Sequence, residues 1–190
     1  MCKRQLPHEL AYTNILNILD MTGIPLENKD RNQPDTDDTN PEESHKPVVL
    51  GGGIGVMNPL PIAPYFDALF FGEAESGLLD ILNVLRESKD RQHRLCKLNE
   101  LPGLYLPGLH SGNSANEVTV TVTKQIVEKF DSAPYPDPQL VPYCRPVHER
   151  VVVETARGCP RACRFCQARV YYSPVRQRAP ETVKEIIKDN

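Results

Sequence analysis

A chain of 190 residues, 39% of them hydrophobic, suffices for one domain or two small ones with a core. Its formal charge of −3 supplies no overall field for nucleic acid or a membrane surface, and no run approaches the ~20 apolar residues of a membrane span. Six cysteines would suit a disulfide framework only in a secreted chain, and Met1-Cys2-Lys3-Arg4 is not followed by an apolar signal core; the expectation is a cytoplasmic protein with reduced thiols and no membrane partner.

From His8 to Met21 the apolar residues Leu10, Ala11, Ile15, Leu16, Ile18 and Leu19 recur at helical spacing, with Gly23 and Pro25 as stop signals. Asn28 to Lys46 is rich in Asn, Asp, Thr, Glu and Pro and nearly free of apolar side chains, which predicts a mobile acidic loop over 28–46. Pro47-Val48-Val49-Leu50 reads as a short buried strand running into Gly51-Gly52-Gly53-Ile54-Gly55. Glycines after a strand let the backbone turn tightly and approach a ligand. The spacing here is neither a dinucleotide fingerprint nor a Walker loop, so the run alone specifies no ligand.

Asp67-Ala68-Leu69-Phe70-Phe71 is a second strand, ending in Gly72-Glu73-Ala74-Glu75, and Leu78, Leu79, Ile81, Leu82, Val84 and Leu85 follow at helical spacing. Glu73 and Glu75 sit where carboxylates favour the positive end of a helix, a structural role that leaves neither a catalytic assignment. Leu101 to Pro107 is a short extended piece, and Val118 to Ile126 begins as alternating Val and Thr, a half-buried strand. Phe130 to Pro146 contains Pro134, Pro136, Pro138, Pro142 and Pro146, which predicts an extended, semi-rigid connector over 131–146 with a domain boundary around Pro146. Cys2, Cys96 and Cys144 are isolated and read as ordinary thiols.

The chemistry concentrates in Arg157-Gly158-Cys159-Pro160-Arg161-Ala162-Cys163-Arg164-Phe165-Cys166. A strand-like run, Val151 to Glu154, leads in, and a helix-like run, Pro180 to Asn190, follows. Thiolates are the soft ligands that iron–sulfur clusters prefer, and three of them on one loop leave one iron of a cube open. Gly158 removes a side chain beside the first ligand, and backbone N–H groups in such a turn can donate to cluster sulfurs. Phe165 offers an apolar face to exclude water or meet a nucleobase. Arg157, Arg161, Arg164, Arg169, Arg176 and Arg178, with no acidic residue among them, can balance an anionic cluster, bind an anionic substrate, or form a solvated basic face. Two other readings compete: a zinc site completed by Cys144 or His148, although zinc ligands favour close Cys-x2-Cys pairs, and a simple electron-transfer cluster, which would need a fourth ligand and usually a different spacing.

Glu154-Thr155-Ala156-Arg157-Gly158-Cys159 through Cys166-Gln167-Ala168-Arg169, then Tyr172 to Arg178, resembles the radical S-adenosylmethionine superfamily. Within it the likeness is to an uncharacterised group with a cobalamin-binding-like domain before the radical domain. Glu9 to Leu16, Gly51-Gly52-Gly53 with Asn58-Pro59, Phe71 to Glu75 and Pro102-Gly103-Leu104-Tyr105 carry that likeness upstream. Similar proteins often have Gly where Ala162 and Arg169 stand.

The resemblance implies an α/β fold. A partial flavodoxin-like, cobalamin-binding-like domain over 1–130 is followed by the first βα unit of a partial TIM barrel over 147–190. It further implies an enzyme in which Cys159, Cys163 and Cys166 hold a 4Fe–4S cluster whose open iron chelates S-adenosylmethionine. An external electron donor would drive reductive cleavage to methionine and a 5′-deoxyadenosyl radical. Gly158 and Phe165 are the expected cofactor contacts, and no catalytic residue is assignable. Cobalamin stays open, because no Asp-x-His-x-x-Gly stretch is visible, and so does the substrate, with RNA among the choices. The further barrel units and the first βαβ portion of the upstream domain are expected outside Met1–Asn190, so the chain reads as an internal fragment that is inactive alone. A non-catalytic αβ ligand-binding module with a structural cysteine metal site is the alternative.

Overall fold

The computed structural model describes residues 2–33, 46–87, 90–110, 121–140, 142–144, 147, 150–161 and 163–189. The chain divides into two compact units, residues 1–126 and 127–190.

In the first unit, β1 (Cys2–Gln5) pairs parallel with β2 (Val49–Gly52), and β2 pairs parallel with β3 (Ala68–Phe70). β4 (Leu104–Tyr105) adds to β3 antiparallel, giving the order β1-β2-β3-β4, and one helical turn, α5 (Pro107–His110), follows it. Successive strand side chains point to opposite faces, so two apolar layers form. Val49 and Leu69 join Leu6, Ile15, Leu19, Val56, Ile62 and Phe66 under α1 (Tyr12–Met21). On the other face Leu50, Ala68 and Phe70 join Ile81 of α3 (Leu78–Glu87) with Leu95 and Leu98 of α4 (Arg91–Asn99). The result is a mixed α/β unit with helices on both faces of a small sheet.

The helix expected over His8 to Met21 is present as a 3₁₀ turn, Glu9–Ala11, continued by α1. The stretch expected as loop from residue 28 instead opens with a helical turn, α2 (Asn28–Arg31), whose Arg31 is buried. The Arg31 guanidinium donates to the carbonyls of Pro25, Leu26 and Tyr65 and pairs with Asp67 at 3.2 Å. Asp67, also buried, accepts from the Val49 N–H at 2.7 Å and from Arg91 at 2.6 Å. This knot ties α2, β2 and α4 to the entry of β3. Residues 34–45 lie outside the described part.

Packing explains two of the four glycines in the run. A Cβ on Gly51 would lie 2.7 Å from a Leu69 methyl carbon and 2.8 Å from the Phe66 ring, and one on Gly55 would lie 2.8 Å from Leu6 Cβ. Gly53, at φ 100°, makes the turn. Of the strand expected over Val118 to Ile126, residues 118–120 lie outside the described part, and Gln125 makes a single parallel bridge to Gly72.

In the second unit, β5 (Ala156–Arg157) pairs antiparallel with β6 (Arg176–Gln177). A turn of helix, α6 (Ala168–Tyr171), lies between them, followed after β6 by α7 (Pro180–Asp189) and its full amphipathic repeat. The lead-in expected as a strand, Val151 to Glu154, is irregular. The Gln139 side chain accepts from the Val152 N–H at 3.2 Å and donates to the Val152 carbonyl at 3.0 Å, so that backbone is paired without a strand neighbour. The start of the expected connector is packed rather than extended: Phe130–Ser132 is a 3₁₀ turn, and Phe130 and Ala133 are buried. Pro146, the expected boundary, lies outside the described residues. No helix among the described residues is long and apolar enough to cross a membrane.

Candidate functional site

The three clustered cysteines ride on one loop, 158–175, whose ends are joined by β5 and β6 through the partners Ala156–Gln177 and Arg157–Arg176. Gly158 sits where the chain enters that loop, at φ 101°. A Cβ there would lie 2.8 Å from the carbonyl oxygens of Tyr172 and Pro174 and from Val175 Cα, so the entering and leaving backbones touch with no room for a side chain. The glycine that the motif places before its first cysteine therefore has a local cause: two backbones cross at it.

Cys159 follows directly and is half-buried, while Cys163 and Cys166 are exposed. The Cys166 N–H donates to the Cys163 carbonyl at 3.2 Å, which folds these two thiols onto either side of one turn. α6 then starts from Gln167, whose carbonyl accepts from Val170 and Tyr171 and whose side chain accepts from the Tyr171 hydroxyl at 2.5 Å. Cys96 and Cys144, like Cys159, Cys163 and Cys166, are free thiols. Among the described residues no three His, Cys, Asp or Glu side chains converge as a metal cage requires, so the loop carries the three thiols without drawing them together. The donor set itself, three sulfurs and no competing carboxylate between Arg157 and Arg178, suits an iron–sulfur cluster.

Phe165, expected as a shield or base contact, is 91% exposed and covers nothing. The arginines separate into two groups. Arg157, Arg176 and Arg178 surround the Phe130 ring at 4.9, 5.9 and 4.8 Å from its centroid. They are part of the support of the loop rather than a free basic face. Arg161, Arg164 and Arg169 are exposed on the loop itself. Ala162 lies outside the described residues. Sequence reasoning missed Phe130 and Asp131, which sit in the stretch taken for a connector. Asp131 Oδ1 accepts from the Ala179 N–H at 2.7 Å and Oδ2 from the Thr182 hydroxyl at 3.1 Å, capping the start of α7 from outside the helix.

The sequence model of the N-terminal region of radical SAM proteins matches residues 2–107. The chain belongs to the radical SAM proteins. An uncharacterized protein of Methanocaldococcus jannaschii is 29% identical over 130 residues, covering 68% of this chain and 25% of that protein. The anaerobic magnesium-protoporphyrin IX monomethyl ester cyclase of Rubrivivax gelatinosus is 28% identical over 149 residues, 74% of this chain and 25% of the cyclase. This radical SAM chain thus spans about a quarter of the length of the curated relatives it matches. No solved structure matches it. The family match falls on the α/β first unit, and the cysteine loop lies in the second.

Proposed function

We propose that the chain is part of a radical SAM enzyme in which Cys159, Cys163 and Cys166 hold a 4Fe–4S cluster and present it to S-adenosylmethionine. The observation that carries this reading is the position of all three thiols on one loop, closed by β5–β6 and crossed at Gly158, in a chain of this family. When bound, such a cluster supplies an electron for reductive cleavage of S-adenosylmethionine. The residues of the chain supply the rest. The three thiolates would leave one iron of a bound cluster uncommitted, Gly158 lets the loop close beside the first ligand, and the exposed Arg161, Arg164 and Arg169 would offset the negative charge of a thiolate-bound cluster. In the first unit, three parallel strands with helices on both faces support a partial flavodoxin-like, cobalamin-binding-like domain. In the second, the chain order of β5, the cysteine loop and α7 agrees with the opening unit of a partial TIM barrel, whereas the antiparallel pairing of β5 with β6 does not.

The test is anaerobic reconstitution with iron and sulfide. We expect close to four irons and four sulfides per chain, brown colour and oxygen sensitivity, all lost when Cys159, Cys163 and Cys166 are replaced by Ala. One zinc per chain without visible absorbance would point instead to a structural metal site.

A further inference from the structure

We infer that Arg178 and Phe130 are positioning residues for the three-cysteine loop, an inference that rests on the cluster reading only for the identity of the metal. The loop leaves and returns through a narrow neck. There the ladder of β5 and β6 is two residues long on each side, too short to persist unaided.

Arg178 supplies what the ladder lacks. It stands just past the returning strand and is 6% exposed. Its backbone N–H donates to the Thr155 carbonyl at 2.9 Å, and its Nε donates to the Glu154 carbonyl at 3.1 Å, so it grips the entering segment twice. Its two terminal nitrogens reach the carbonyls of Asp131 at 2.8 Å and Ala133 at 3.1 Å. A planar guanidinium can donate in these three directions at once; an ammonium on a flexible stem cannot hold the same pattern.

Phe130 is the other half of the device. Its ring receives Arg157 from the entering strand at 4.9 Å and Arg178 from the returning side at 4.8 Å. The Arg157 guanidinium is itself held by both Glu154 oxygens, at 3.0 and 2.7 Å. One aromatic ring therefore fixes both sides of the neck. Cys159 is two residues beyond Arg157, whereas Cys163 and Cys166 lie farther around the loop. Where the neck is fixed decides how the first thiol meets the other two. Residues that orient ligands without touching a metal typically change its affinity about 10–100-fold when replaced.

Cobalt(II), titrated anaerobically into the reduced full chain, reads this directly, because thiolate-to-cobalt charge-transfer absorbance needs gathered thiols but no sulfide. We expect Arg178→Lys and Phe130→Leu each to weaken thiolate-bound cobalt about 10-fold or more. Both should speed iron release to a chelator from reconstituted protein, while Cys96→Ser changes neither. Equal cobalt affinities in wild type and both variants, or no thiolate-bound cobalt in the wild type, would overturn the inference whatever iron does. Failure of iron and sulfide to assemble on the wild type, with cobalt binding still weakened by the variants, would sink the cluster reading and leave the positioning role standing. Should Arg178→Lys not fold by circular dichroism, Phe130→Leu decides.

Discussion

In the first unit Val49, Leu50, Ala68, Leu69 and Phe70 are buried between two apolar layers, whereas in the second the buried side chains among the described residues are Phe130, Ala133 and Arg178. The difference concerns what each kind of support tolerates. Apolar burial is non-directional and contributes about 25 cal/mol per Å² removed from water, so a first-unit side chain of similar volume can substitute for another. The second unit relies on directed contacts, in which a guanidinium must meet three carbonyls and a ring face at once. Such support is specific in geometry but has little reserve. It suits a segment whose task is to hold a loop in one arrangement.

Three substitutions probe that contrast. The largest effect is expected at the buried ionic knot around Asp67 in the first unit. Asp67→Ala leaves Arg31 without its counter-charge at a site where both side chains are fully buried, and should destabilise the fold by about 3–5 kcal/mol. Urea unfolding followed by far-ultraviolet circular dichroism measures it, since the chain has no tryptophan. A loss under about 1 kcal/mol would mean that the carbonyls around Arg31 suffice without the aspartate. Leu98→Ala, in the layer under α4, should lower stability by about 3 kcal/mol in the same titration. Gly158→Ala forces a side chain into a left-handed position against backbone, at about 2 kcal/mol. That effect should appear as faster hydrogen exchange of the Arg157 and Arg176 amides, with the amides of β2 and β3 unchanged. Equal loss of protection in β2 and β3 would break the contrast by showing that the two units unfold together.

Much of the first unit was legible because its signals are local. The spacing of Ile15 and Leu19, or of Leu78, Ile81 and Leu85, fixes a helix face within a few turns, and the α7 repeat is equally plain. What escaped lies either in polar sequence or at long range. β1 is Cys-Lys-Arg-Gln, with no apolar alternation, and is a strand because β2 offers it a parallel neighbour. α4 has two buried leucines in a charged stretch, yet Asp90 carried a usable signal: its side chain accepts from the His93 N–H at 2.6 Å as an N-cap. The knot at Asp67 joins residues 36 and 24 positions away, and Arg178 reaches Asp131 across 47. No periodicity records such pairs. The cysteines were legible as a donor set, but not the cause of Gly158 or the function of half of the arginines, because both depend on what the loop closes against.

The Asp67 knot has a bearing on how the chain can be rewritten. Arg91 donates to the Asn32 side chain at 3.0 Å and to the carbonyls of Lys46 and Pro47 at 3.1 Å each, and Lys46 Nζ reaches back to the carbonyls of Asp30 and Gln33 at 3.2 and 3.3 Å. Residues 30–33 and 46–47, far apart in sequence, are therefore fastened together by one arginine and one lysine. Arg91→Lys would thus loosen residues 30–33 and 46–47 at once, which makes this position the one to leave alone when the surface of α4 is redesigned.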